Sequence, residues 1–253
     1  MDFTENSKDL LNARVALYEN VDFIKTDPIQ IPKKFTKKED IEIAGFIAAT
    51  LAWGQRPQII KKATLWMEFM ENKPYDFILN EDMNTTAFVN FVYRTFNSDD
   101  ALFFLEALRN IYKNHGGLEE VFSVYPNDIK KSISYFREVF LEVPHLNRSE
   151  KHLANTNKGS AAKRINMFLR WMVRDSSKGV DFGIWNTILP ANLKIPLDTH
   201  SGNVARKLKL LHRKQNDWKA VNELTDRLLL FDGSDPVKYD FALFGMGIFE
   251  KIR

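Results

Sequence analysis

Ile195-Pro196-Leu197-Asp198-Thr199-His200 is an apolar approach that ends in a carboxylate, and it runs directly into the basic stretch Arg206-Lys207-Leu208-Lys209-Leu210. Aspartate is a preferred helix N-cap because its side-chain oxygen accepts a backbone N–H of the first turn. The helix it caps is expected to continue to about Leu211. Upstream, Gly159-Ser160-Ala161-Ala162-Lys163-Arg164 opens a second basic helix. From Lys163 to Arg174 the apolar residues Ile165, Phe168, Leu169, Met172 and Val173 form one stripe, while Asn166, Arg170 and Arg174 recur at i, i+4, i+8 on another face. The pattern predicts a helix anchored in a core and carrying an arginine ridge. Asp175 to Asn192, with Gly179, Gly183 and Pro190, is a long connection.

Outward from these segments the chain reads as almost all α. Ser7 to Tyr18 is a short amphipathic helix, followed by an irregular linker with Pro28, Pro32 and the lysines 33, 34, 37 and 38. Glu39 to Trp53 has a wide apolar face and Gly54 stops it; Pro57 opens a helix from Gln58 to Glu71. Further helices are expected at Thr85 to Tyr93, Ser98 to Tyr112, Gly117 to Ser123, Asn127 to Glu142, Asn216 to Leu230 and Pro236 to Phe249. Gly245 and Gly247 in the last of these would let another backbone approach closely or end the helix early. No long run alternates with period two, so strands are not expected.

The 253 residues, 44% hydrophobic, suffice for one large core or two modest ones. There is no cysteine, which excludes disulfides, thiolate zinc sites and iron–sulfur clusters and favours an intracellular location. Met1 to Asn20 lacks a signal-peptide core, and no uncharged run reaches the roughly 18–20 residues that span a bilayer. A soluble, cytoplasmic monomer is expected, without a membrane, metal, nucleotide or other cofactor.

The formal net charge of +3 hides an asymmetry. Residues 151–219 hold 14 lysines and arginines against four aspartates, a net +10, and the remainder of the chain is −7. A positive segment inside an otherwise acidic protein points to an anionic partner. Its alternative is a pair of solvated helix faces. Asp198 and Lys163 lie inside that segment. A carboxylate held by backbone N–H groups is a structural cap worth about 0.5–2 kcal/mol, and it is also an anion suited to a positively charged sugar intermediate. Lys163 is disfavoured as an ammonium by the helix dipole and by Arg164 beside it, which favours a nucleophilic amine. On local sequence alone, a surface lysine is the simpler reading. Gly159 and Ser160 leave backbone N–H groups for a phosphate, or simply turn the chain. Trp53, Trp171, Phe241 and Phe244 are candidates to stack on an extruded base, against the plainer reading of core aromatics. His200 reads as a helix-start side chain, and the five histidines show no metal-ligand spacing.

The order of helix, Gly-containing hairpin, lysine, basic helix, then apolar-Pro-x-Asp-Thr-His resembles the helix-hairpin-helix DNA glycosylase superfamily, which includes endonuclease III and the 8-oxoguanine glycosylases. Ile195-Pro196-Leu197-Asp198-Thr199-His200 is similar to its catalytic-aspartate segment, and Gly159-Ser160-Ala161-Ala162-Lys163 to the hairpin ending in its catalytic lysine. Ile47-Ala48-Ala49-Thr50-Leu51-Ala52-Trp53-Gly54-Gln55 resembles the helix pair whose glutamine enters the duplex, and Tyr239-Asp240-Phe241-Ala242-Leu243-Phe244-Gly245 the helix closing the second lobe. The chain looks closer still to an unassigned bacterial family related to the archaeal 8-oxoguanine glycosylases. It departs from the pattern in three places. Ala161 replaces the second hairpin glycine, Asp175 to Asn192 lengthens the interval to Asp198, and no cluster cysteines follow the last helix.

The resemblance implies an all-α, two-lobed protein. One lobe would span about residues 40–155; the other would combine 1–39 with 156–253, placing Lys163 and Asp198 at a cleft. It implies base excision repair: Lys163 attacks the sugar, Asp198 stabilises the oxocarbenium charge, and the Schiff base permits strand cleavage. A damaged, oxidised purine in DNA is the expected substrate. Gln55 or Arg56 would fill the gap left by the flipped base, and Gly159, Ser160, Arg164, Arg170, Arg174, His200 and Arg206 would contact DNA. A noncatalytic nucleic-acid-binding module, and a helical scaffold without nucleic-acid role, remain as alternatives.

Overall fold

A computed structural model describes residues 3–252, with side chains from residue 6 onward. The protein is all-α: among the described residues there are eleven α-helices and seven 3-10 turns, and no strand. The chain divides into two compact units, Thr26–Asn155 and Met1–Lys25 with Thr156–Arg253.

The contiguous unit holds α2 (Lys38–Leu51), α3 (Arg56–Phe69), α4 (Pro74–Leu79), α5 (Ser98–Asn114), α6 (Leu118–Phe122) and α7 (Ile129–Phe140). Its core is aromatic. Phe46 packs on Phe104, Phe136 and Phe140, and Trp66 is ringed edge-on by Phe88, Phe91 and Phe96. Residues 26–39, assigned from sequence to the other lobe, belong here instead. The prolines set two 3-10 turns, Pro28–Gln30 and Pro32–Lys34, that bury Ile29 and Ile31 completely against α2 and α3. Asn97 caps α5 in a reciprocal box with Asp100. The helix expected at Thr85–Tyr93 is only a 3-10 turn, Thr86–Asn90. Phe88 and Phe91 reach inward to Trp66 while Val89 and Val92 face solvent, a spacing that suits the tighter turn. The short helix α4, opened by Pro74, was not legible in the pattern.

The split unit holds α1 (Phe3–Tyr18), α8 (Lys163–Val173), α9 (Thr199–Lys207), α10 (Trp218–Leu229) and α11 (Tyr239–Ile248). The 175–192 connection folds back along α8: Phe182 N–H donates to Trp171 O at 2.8 Å and Ile184 N–H to Met172 O at 2.9 Å, and Trp185 meets Phe168 edge-on. α9 stops four residues before the expected end. Lys209 takes a left-handed φ of 54°, and Leu210 N–H returns to Ala205 O, a Schellman-type close that buries Leu210 and Leu211. The apolar periodicity continues past Lys207 because those leucines pack, not because the helix does.

α11 packs on both α1 and α9 through its glycines. A Cβ on Gly245 would stand 2.2 Å from the Tyr18 ring, and one on Gly247 would stand 2.9 Å from His200 Cβ and 3.3 Å from its carbonyl. The close approach expected from Gly245 and Gly247 is therefore present, and it seats the start of α9 directly against α11. Gly247→Ala is expected to lower stability by about 1–3 kcal/mol through overpacking. Gly233→Ala, where the nearest atom is 3.8 Å away, is the control. Urea denaturation that finds the two variants equally stable would contradict this packing.

Candidate active site

Lys163 is the first residue of α8. The preceding Ala162 holds a left-handed conformation (φ 48°, ψ 34°), at a cost of about 1–2 kcal/mol for a residue with a Cβ. The left-handed residue is Ala162, one position after the Ala161 at which the resemblance expects a second hairpin glycine. Two bonds clamp the turn. Ala162 N–H donates to Ser160 Oγ at 3.2 Å, and Asn166 Nδ2 donates to Ala161 O at 3.1 Å. The element leading into the hairpin is a 3-10 turn, Asn147–His152.

Asp198 caps α9. Its Oδ1 accepts from Ser201 N–H at 2.8 Å and from Ser201 Oγ at 3.1 Å, while Ser201 Oγ accepts from Asp198 N–H. The apolar approach is fixed from α10, since Ile195 N–H donates to Thr225 Oγ1 at 3.2 Å. Hence one carboxylate oxygen is committed to the cap. Asp198 Oδ2 accepts no hydrogen bond among the described residues.

Residues 216–218 tie these two segments together. Trp218 N–H donates to Gly159 O at 3.0 Å, Asp217 forms an isolated antiparallel bridge with Ser160, and Asn216 Nδ2 donates to Asp198 O at 3.0 Å. The hairpin of Lys163 and the cap of Asp198 therefore hang on the same three residues. Lys163 is half-buried, and its ammonium makes neither a hydrogen bond nor an ion pair among the described residues.

Asp240, on α11, is a further buried carboxyl of the split unit. It is the one charged residue of Tyr239–Ile248; the sequence reading passed over it, although that isolation in an apolar helix is the signal that could have marked it. Its Oδ2 accepts from Arg170 Nη1 at 2.5 Å. Burial pushes its pKa up to about 6, with Asp198 adding to the rise and the cations Arg170 and Lys163 opposing it. The charges of Lys163 and Asp198 thus both reach one carboxyl. Since the folded value lies above the unfolded value of about 4, the stability linked to Asp240 is full below that pH and is lost as pH rises through about 6.

The arginine ridge points inward. Arg170 also faces Asp181 at 3.4 Å, and Arg174 binds Asp181 at 2.5 Å, Glu19 at 2.6 Å and Asp235 at 2.8 Å. Both guanidiniums are buried and stack on Phe241, at 4.3 and 5.4 Å. They are structural ion pairs, not phosphate contacts, and the expectation for Arg170 and Arg174 is corrected. Three of the four carboxylates, Glu19, Asp235 and Asp240, come from outside the 151–219 segment, and Asp181 comes from within it. The split unit as a whole carries a formal +5 rather than the segment's +10.

Trp171 and Phe241 are fully buried and cannot serve as open stacking surfaces. Phe244 is half-buried, with Phe23 and His200 edge-on to it. Arg206 donates to Arg213 O at 2.8 Å and to Asn216 Oδ1 at 2.5 Å, so it holds the 213–216 loop that braces Asp198. Arg164 is half-buried, and loss of water pulls its pKa down to about 10. His200 and Gly159 are exposed. Trp53, Gln55 and Arg56 lie in the contiguous unit. Trp53 is half-buried under Arg94, 4.5 Å away; Gln55 is exposed; Arg56 turns toward Thr26 and Asp27. Among the described residues no group of three His, Asp or Glu is placed to hold a metal ion, and no helix is long and apolar enough to cross a membrane.

These observations define an all-α protein whose split unit ties the hairpin of Lys163 to the cap of Asp198 and also holds a buried ion-pair network. The chain belongs to the family described as Protein of unknown function (DUF2400), whose model matches residues 27–249. No curated protein and no solved structure matches it.

Arg174→Met leaves Asp181, Asp235 and Glu19 without their shared cation. It is expected to cost about 3–5 kcal/mol, measured by urea denaturation at neutral pH. A loss below about 1 kcal/mol, the scale of an exposed ion pair, would contradict the network.

Proposed function

We propose that this protein is a DNA glycosylase that removes a damaged, oxidised purine base through a covalent lysine intermediate, in the manner of the helix-hairpin-helix superfamily it resembles. The observation that carries the reading is the common tether of residues 216–218, which joins the Lys163 hairpin to the Asp198 cap. Each of the two side chains keeps a reactive atom without a partner among the described residues.

In this scheme the Lys163 amine gives its electron pair to the sugar C1′, and the glycosidic bond breaks with its pair passing to the base. Asp198 is a fixed anion beside the oxocarbenium-like charge that develops at C1′. The C1′–O4′ bond then breaks, its pair and one proton of the attached nitrogen going to the ring oxygen, while the nitrogen's freed pair closes the C1′=N bond of a protonated Schiff base. Removal of a C2′ proton then expels the 3′ phosphate, the lyase step. Only Asp198 Oδ2 is spared from capping, so the same carboxylate serves both fold and chemistry. Exposed Lys178, Lys207, Lys214 and Lys219, with the split unit's formal +5, offer charge to a phosphate backbone. Arg170 and Arg174 are not part of that surface.

Borohydride trapping on duplexes holding an abasic site or an oxidised guanine tests the reading. Wild type is expected to give a covalent adduct; Lys163→Gln is expected to give none. Asp198→Asn preserves the cap, since asparagine caps as well as aspartate, and is expected to fold normally while trapping at least about a hundredfold more slowly. Salt-sensitive DNA binding without any adduct favours a noncatalytic binding module. Neither binding nor adduct would leave a helical scaffold.

A further inference from the structure

The tether between the two halves of this site is broad on one side and narrow on the other. Towards the hairpin it is backbone: Trp218 N–H binds Gly159 O, and Asp217 bridges to Ser160. Towards Asp198 it is one side chain. Outside α9 and its own cap, Asp198 takes a single hydrogen bond among the described residues, from Asn216 Nδ2 to its carbonyl at 3.0 Å. The same carbonyl accepts Gly202 N–H at 2.9 Å, the first bond of α9. One amide thus joins the capped end of α9 to the loop that carries the Lys163 hairpin.

That amide is held in one orientation. Its Oδ1 accepts from Arg206 Nη2 at 2.5 Å, and Arg206 Nε donates to Arg213 O at 2.8 Å, so α9 grips the loop at two places. A reversed amide would set its NH2 against the guanidinium and its oxygen against the Asp198 carbonyl, donor facing donor and acceptor facing acceptor. Gly202 gives the amide its room. A Cβ there would stand 2.9 Å from Arg206 Nη1, 3.0 Å from Asn216 Oδ1 and 3.3 Å from Asn216 Nδ2. The Asn216 side chain reaches Asp198 across the bare first turn of α9.

We infer that Asn216 is a positioning residue of this site: its amide, seated on Gly202 and held by Arg206, sets Asp198 against the Lys163 hairpin, and the rate of attack by Lys163 depends on that setting. A nucleophile and a stabilising anion on separate elements work only in a fixed geometry, and a displacement of about 1 Å costs roughly a hundredfold in rate. The fold leans on the amide far less. α9 is also seated on α11 at Gly247, its approach is bonded to Thr225 of α10, and Ser201 keeps the cap. Asn216 itself is exposed.

The assignment rests on the glycosylase reading, and two substitutions that reach the same amide from opposite sides test it. Asn216→Asp keeps an acceptor for Arg206 and replaces the donor with an oxygen that repels the Asp198 carbonyl. Gly202→Ala leaves the charge of the loop unaltered and pushes the ends of the Asn216 and Arg206 side chains aside. Alanine favours a helix over glycine, so the urea midpoint of Gly202→Ala is expected to match wild type. The measurement is single-turnover borohydride trapping on a duplex holding an oxidised guanine, with the protein varied through saturation. Both variants are expected to trap at least about tenfold more slowly at saturation, with Gly202→Ala reaching half-saturation at the wild-type concentration. Wild-type rates in the folded variants overturn the inference. So does a Gly202→Ala defect confined to the half-saturating concentration, the result of a role in holding DNA. If Asn216→Asp does not fold, Gly202→Ala decides alone. No adduct from wild type overturns the glycosylase reading and this inference with it, whereas a wild-type adduct with unslowed variants overturns this inference alone.

Discussion

The N–H of Trp218 binds the carbonyl of Gly159, and the side-chain amide of Asn216, two residues earlier, binds the carbonyl of Asp198. On those two bonds depends whether distant parts of the chain form one site. The hairpin and the cap lie some thirty-five residues apart in sequence, separated by α8 and by a long connection without α-helix. Neither bond uses a reactive side chain. The tether is made of backbone carbonyls, one amide and one peptide N–H, so it fixes position without consuming the groups that the chemistry needs. Arg206 stiffens it by holding Arg213 and Asn216.

The split unit also holds a buried network of ions around Arg170 and Arg174. Taking several charges out of water is costly, and removing one partner from such a network is costlier than the network itself. The network therefore acts as a specification: α1, the 175–192 connection, the 235 loop and α11 must all be in place for the guanidiniums to be satisfied.

Much of the architecture was legible in the sequence. Apolar periodicity found α2, α3, α5, α7, α8 and α10, and the residue Asp198 announced the start of α9 by its capping chemistry. The pattern misled where packing, not the helix, kept the period going, as with Leu210 and Leu211, or where aromatic anchors imposed a tighter turn, as with Phe88 and Phe91. The arginine ridge was placed on the correct face and given the wrong environment. Periodicity tells which residues share a face, but the carboxylates opposite Arg170 and Arg174 come from positions 19, 181, 235 and 240, which no local spacing connects. Charge summed along a segment failed for the same reason. Asp240 was quoted only as part of an apolar helix, although a solitary acid in such a helix needs a cation, and Arg170 provides it.

The central claim is that one amine, Lys163, stands unpartnered on a hairpin that residues 216–218 tie to the Asp198 cap. Peptide mass spectrometry of the borohydride-reduced protein–DNA adduct tests it most directly by locating the sugar remnant. The account expects the remnant on Lys163. Its location on Lys158, Lys178, Lys207 or any other amine of the chain would contradict it.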